Sequence, residues 1–102
     1  MIRTERLVTT AIGQRVPFSA APLMVRHLVL CPLSVNQQRI AVGDEGANAT
    51  LGVEQGILFA APGGTNPALA IANQDPWDLS QLYLYAINAA DGLTWTGDVV
   101  QG

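Results

Sequence analysis

The sequence has no lysine, one cysteine (Cys31), one histidine (His27), and only 13% charged residues among its 102. Soluble domains usually carry about 25% charged residues, so the deficit is close to twofold. A single cysteine excludes an intrachain disulfide framework and any multi-cysteine metal site. Five basic residues, all arginine (Arg3, Arg6, Arg15, Arg26, Arg39), against eight acidic ones give a net charge of -3. That balance lacks the cationic footprint of ordinary nucleic-acid binding, so no nucleic-acid partner is expected. Long apolar runs are missing as well. The longest, 28–33, is interrupted by Pro32, whereas a membrane helix needs about 20 apolar residues, so no membrane partner is expected either. No apolar signal segment follows Met1.

The sequence does have apolar residues, at 49%, which is too many for intrinsic disorder. Its length fits one small domain. Gln, Asn and Thr stand where Lys and Glu usually cover a small domain. Neutral amides cost less to bury than ammonium groups, and interfaces are depleted in Lys and enriched in Arg. The composition therefore favours a protein that works in contact with other proteins, although drift in a GC-rich genome produces the same bias.

Ten glycines and six prolines divide the chain into short pieces, none long enough for a sustained helical period. β-Branched and alternating runs predict strands over 6–12, 16–18, 24–31, 39–43, 56–60, 68–71, 82–87 and 93–96. The strand over 24–31 becomes apolar on both faces toward its end, which predicts cover on both sides there. Leucine and tyrosine alternate over 82–85, predicting a central strand with the core on one side and a second layer or partner on the other. Leu93 and Trp95 are expected inward and the threonines between them outward. Residues 34–38, 43–52, 62–65 and 73–77 read as turns and loops. Asp78 is placed to cap a single helical turn over 79–81. Asp91-Gly92 closes the predicted hairpin loop 88–92. The reading is an all-β chain: a single β-sandwich, or small jelly-roll-like barrel, of seven or eight short antiparallel strands. Residues 1–10 are expected to form an extended N-terminal arm (about 1–5) and the first strand, and 11–102 the sandwich domain.

No catalytic constellation is legible, and no catalytic, cofactor or metal residue is expected. His27 and Cys31 are four apart on one strand, about 13 Å at roughly 3.3 Å per residue, too far for a nucleophile and its base. Asp75 and Asp78 flank Pro76-Trp77 and are explained as turn and cap residues. Gly63-Gly64 lacks the Lys-Ser/Thr of a phosphate loop. Trp77, Trp95, Tyr83 and Tyr85 suit the core, and any of them left exposed marks an interface.

From about Arg26 to Val100 the chain resembles small β-sandwich virion proteins of tailed bacteriophages, most of all head decoration (cement) proteins. The residues that carry the resemblance are Ile40-Ala41-Val42-Gly43, the Thr50-to-Gly56 loop, Ile57-Leu58, Pro62-Gly63-Gly64, the run Asp78-Leu79-Ser80-Gln81-Leu82-Tyr83, and Asp91-Gly92. Pro67 departs from the pattern and puts a central placement of the strand after it in doubt. The resemblance implies a non-enzymatic structural protein of the virion. It would be made in the host cytoplasm and would bind the outer capsid surface as a homotrimer that cements neighbouring capsomers. The major capsid protein and copies of itself are the implied partners, with no cofactor. Arg3, Arg6, Arg26, Tyr83, Tyr85 and Trp77 are the expected interface residues, with the arginines pairing with capsid carboxylates and the arm adding a strand to a neighbouring sheet. A neck or tail adaptor, a fibre-base module and a small carbohydrate-binding β-sandwich are the alternatives.

Overall fold

The computed structural model describes residues 1–61, 68–71 and 75–101. Nine strands run through them: β1 (Ile2–Val8), β2 (Gln14–Pro17), β3 (Met24–Pro32), β4 (Ile40–Gly43), β5 (Ile57–Phe59), β6 (Leu69–Ile71), β7 (Trp77–Asp78), β8 (Tyr83–Ala86) and β9 (Gly92–Gln101). They form two antiparallel sheets. The first has the order β1-β9-β3-β6, with β7 also on β3, and the second the order β2-β8-β4-β5. With the two-residue β7 set aside, this is the strand order of a jelly roll. The fold is the all-β sandwich that the turn spacing predicts. The predicted turn at 62–65, Pro67, and loop residues 73 and 74 lie outside the described residues.

Alternation in the sequence builds the core. Val25, Leu28 and Leu30 of β3 and Leu93 and Trp95 of β9 face Ile40, Val42, Phe59, Leu84 and Ala86 of the second sheet. Each such side chain contributes about 1.5–3 kcal/mol when removed from water. Leu79 and Leu82 close the sandwich beside the 3-10 turn Leu79–Gln81. Asp78 caps that turn as predicted, accepting from the Ser80 N–H at 3.0 Å and the Ser80 hydroxyl at 2.8 Å. The short run 69–71 forms an edge strand on β3.

The structure departs from the sequence reading in six places. Residues 1–5 do not form an arm: from Ile2 to Val8 the chain pairs with β9, residue for residue. The cause is β9, which runs ten residues, through Gly97, and offers β1 a full-length template. The first strand correspondingly stops at Val8 instead of continuing to residue 12.

β3 breaks its alternation at Arg26-His27, where the register against β9 shifts. His27 has φ 54° and sits in a bulge, so Val25 and Leu28 both face the core. Gly97 lies opposite, and a Cβ there would stand 2.2 Å from Val25 Cγ1. Among the described residues, nothing covers the outer face at the end of β3 as expected: Cys31 is exposed and Val29 half-buried. Asp91-Gly92 does not close a hairpin. It carries the chain from β8 in one sheet to β9 in the other. Trp77, expected in a loop, pairs with Val25 across β7.

Candidate functional site

The two outer faces of the sandwich differ in kind. Over the second sheet, the β4–β5 connection, residues 44–56, folds back as a cover. Ala47 and Ala49 bury themselves against Ala41 and Tyr85. The bridge between Asn48 and Gln55 holds the connection in a small hairpin. Arg15 Nε donates to the Ala47 carbonyl at 2.6 Å, and its guanidinium lies 5.1 Å above the Tyr85 ring. Arg39 Nη2 donates to the Ala49 carbonyl at 2.8 Å. The hydroxyls of Thr50 and Tyr85 stand 3.0 Å apart. The second layer predicted over the Leu/Tyr strand is therefore the chain's own loop.

This corrects the assignment of Tyr85 as an interface residue. It is 8% exposed and engaged beneath the loop. Its neighbour on the same face, Tyr83, is half-buried. Sequence reasoning also missed Arg15 and Arg39 as braces. The available signal was the pair of small residues, Ala47 and Ala49, spaced by two in a loop otherwise rich in Gly and acid.

The outer face of the first sheet has no such cover among the described residues. Strand registers arrange its side chains in rows. Ile2, Asp98 and Arg26 form one, Thr4, Thr96, Val29 and Ala70 a second, and Arg6, Thr94 and Cys31 a third. The middle row is neutral and small, with the Thr4 and Thr96 hydroxyls 2.9 Å apart. Arg6 and Arg26 stand in the rows on either side of it, Arg26 beside Asp98. Asp98 accepts from the Met1 ammonium at 2.7 Å. That hydrogen bond, with the ammonium charge and then those of His27 and Arg26, holds the Asp98 carboxyl below its ordinary range.

The six expected interface residues thus fall in separate places. Arg6 and Arg26 share the bare face. Arg3 lies on the opposite side of β1 and pairs with Glu5 at 2.6 Å. Inward-pointing charges at a sheet edge discourage strand addition, which argues against the expected adhesion through an arm. Tyr83 and Tyr85 are on the second sheet. Trp77, 40% exposed, lines an apolar groove of about 260 Å³ where the sandwich is open between β5 and β7. Val42, Ile57, Ile71 and Leu82 line the same groove, with Asp44 and Gln81 at hand. Among the described residues, no three His, Cys, Asp or Glu side chains gather to hold a metal ion.

Compared with protein-family models, with curated proteins and with solved structures, the chain finds no match in any of the three.

Proposed function

We propose that the protein is a non-enzymatic structural component of a virion, a decoration protein that sits on the outer capsid surface and cements neighbouring capsomers as a trimer. The observation that carries this reading is the contrast between the two faces. One is covered by the chain's own loop. The other is bare among the described residues, with a charge-free middle row flanked by Arg6 on one side and by Arg26 and Asp98 on the other. Such a surface sheds little bound water on docking, while its two guanidiniums suit carboxylates of a major capsid protein. The jelly-roll order adds support by analogy, because the fold recurs in viral capsid proteins. Several weak contacts per trimer would hold a shell firmly through avidity.

The test is co-sedimentation of the purified chain with shells assembled from the major capsid protein encoded alongside it. Binding is expected, and the Arg6→Glu, Arg26→Glu double variant should lose it while melting as the parent does. Absence of parental binding sinks the reading. A carbohydrate-binding role is the second reading, favoured by the exposed Trp77 and by the use of jelly rolls in lectins. It predicts retention on a glycan array that Trp77→Ala removes.

A further inference from the structure

The edge strands of the two sheets are of two kinds. On the closed side, β1 carries Arg3, Glu5 and Arg6, and β2 carries Arg15 and Pro17. Charge and proline on an edge discourage a further strand. On the open side, β5 is Ile57-Leu58-Phe59 and β6 is Leu69-Ala70-Ile71, with neither. Ile57 and Leu58 are each about two-fifths exposed, and no strand among the described residues pairs with the outer edge of β5. The groove lies beside that edge, between Ile57 of one sheet and Ile71 and Trp77 of the other. Its volume of about 260 Å³ falls below the roughly 300–1,000 Å³ of small-molecule sites and leaves room for one large side chain. The stretches that connect β5, β6 and β7, residues 60–68 and 72–76, contain no apolar side chain larger than proline to fill it. Asp44 is the one charged residue of the lining. It accepts from the Gly46 N–H at 2.8 Å and forms no ion pair among the described residues.

We infer that the open edge receives an extended segment of a partner protein, which adds a strand to β5 and places one large apolar side chain in the groove beside Trp77. Main-chain hydrogen bonds to β5 give the segment its adhesion, and the groove gives the selection of its side chain. A basic residue next to the apolar one meets Asp44. A second copy of this chain is the poorer occupant: its β5 keeps Phe59 in its own core, and its β1 and β2 bring charge and proline. A sugar is poorer too, since it leaves the β5 edge unpaired and finds, besides Trp77, only Asp44 and Gln81 as polar side chains in the lining. This surface is distinct from the outer face of the first sheet, and the inference does not depend on docking there.

The purified chain is probed with an array of capped hexapeptides randomised at each position. Retained peptides should share one large apolar residue, with a basic residue one or two positions away. In the best of them, alanine in place of the apolar residue should weaken binding by about tenfold or more, as for an interface anchor. Methylating the peptide nitrogens one at a time should weaken it at alternate positions only, because a strand turns every second N–H towards its neighbour. Bound peptide should slow amide exchange on β5. Asp44→Asn should remove the preference for the basic residue and keep that for the apolar one. Ile57→Asp, checked for an unchanged melting temperature, should abolish retention; if that variant does not fold, the peptide replacements decide alone. Retention of no peptide, or binding that methylation leaves unchanged at every position, overturns the inference. So does an oligomer of the parent that Ile57→Asp dissolves, which gives the edge to a second copy. Retention on a glycan array that Trp77→Ala removes, with no peptide retained, gives the groove to a sugar and overturns it as well.

Discussion

Asn36 and Gly92 hydrogen-bond to each other in both directions: the Asn36 Nδ2 donates to the Gly92 carbonyl at 2.9 Å, and the Gly92 N–H donates to the Asn36 Oδ1 at 2.8 Å. The side-chain amide stands in for a neighbouring strand at the first residue of β9. Asp91, just before, accepts from the Gln37 and Gln38 N–H groups at 3.0 and 2.9 Å. Asn36, Asp91 and Gly92 are buried, and these bonds join the 33–38 loop to the crossing between sheets. Asn36→Ala removes the partner of the buried Gly92 N–H, at a cost of about 1–3 kcal/mol, while the Gly92 carbonyl keeps the Leu33 N–H at 3.1 Å. A urea midpoint lowered to match, with unchanged slope, is the expected result.

Gly92 also meets β1 closely. A Cβ there would stand 2.0 Å from the Leu7 carbonyl oxygen. Gly92→Ala must therefore push β1 away from β9 at its last pair, at a cost of about 1–3 kcal/mol or more. Amide exchange should speed up at Thr9 and the end of β1, while β4 and β8 keep their protection.

At the bulge, His27 holds a left-handed backbone that β-branched residues disfavour strongly. Melting temperatures should fall in the order Gly, His, Val at this position, with Val lower by the equivalent of about 1–2 kcal/mol. Equal stability of His27→Val would mean that the bulge does not persist in solution.

Acid should weaken the fold through Asp78. The Ser80 hydroxyl, then the Ser80 N–H, and more weakly the Leu23 N–H hold its carboxyl below the ordinary value. A depressed folded pKa contributes stability above the unfolded value, and that part is lost as pH falls through the folded one. Asp78→Asn keeps an acceptor for the two backbone N–H groups but does not titrate. The drop in urea midpoint from neutral pH to below the carboxylate range should be smaller in the variant than in the parent. An identical drop contradicts the assignment.

Much of the fold was legible in the sequence because period-2 alternation, Gly/Pro punctuation and the Asp78 cap act locally. Leu93 and Trp95 inward, and a central strand of alternating Leu and Tyr, follow directly from side-chain direction. What was not legible depends on distant partners. Nothing in residues 1–5 reveals that β9 continues through Gly97 to receive them. The bulge at His27 inverts a face by a single inserted residue, and only the partner strand records it. Asp91-Gly92 is a strong hairpin signal by composition, but the buried amide of Asn36 directs it into a crossing between sheets. The docking face was half legible. Arg6 and Arg26 were identified, but their pairing on one face, and the loss of Tyr85 beneath a loop, required the registers.

Cys31 provides the most direct measurement. It is the chain's single thiol, it is exposed, and it lies in the row of Arg6 and Thr94 on the bare face. Maleimide labelling of this chain, read by its mass, should be rapid in the purified protein. On assembled particles it should be strongly suppressed, and it should recover when the protein is released. Labelling at the same rate on the particle and in free solution would contradict docking through the outer face of the first sheet.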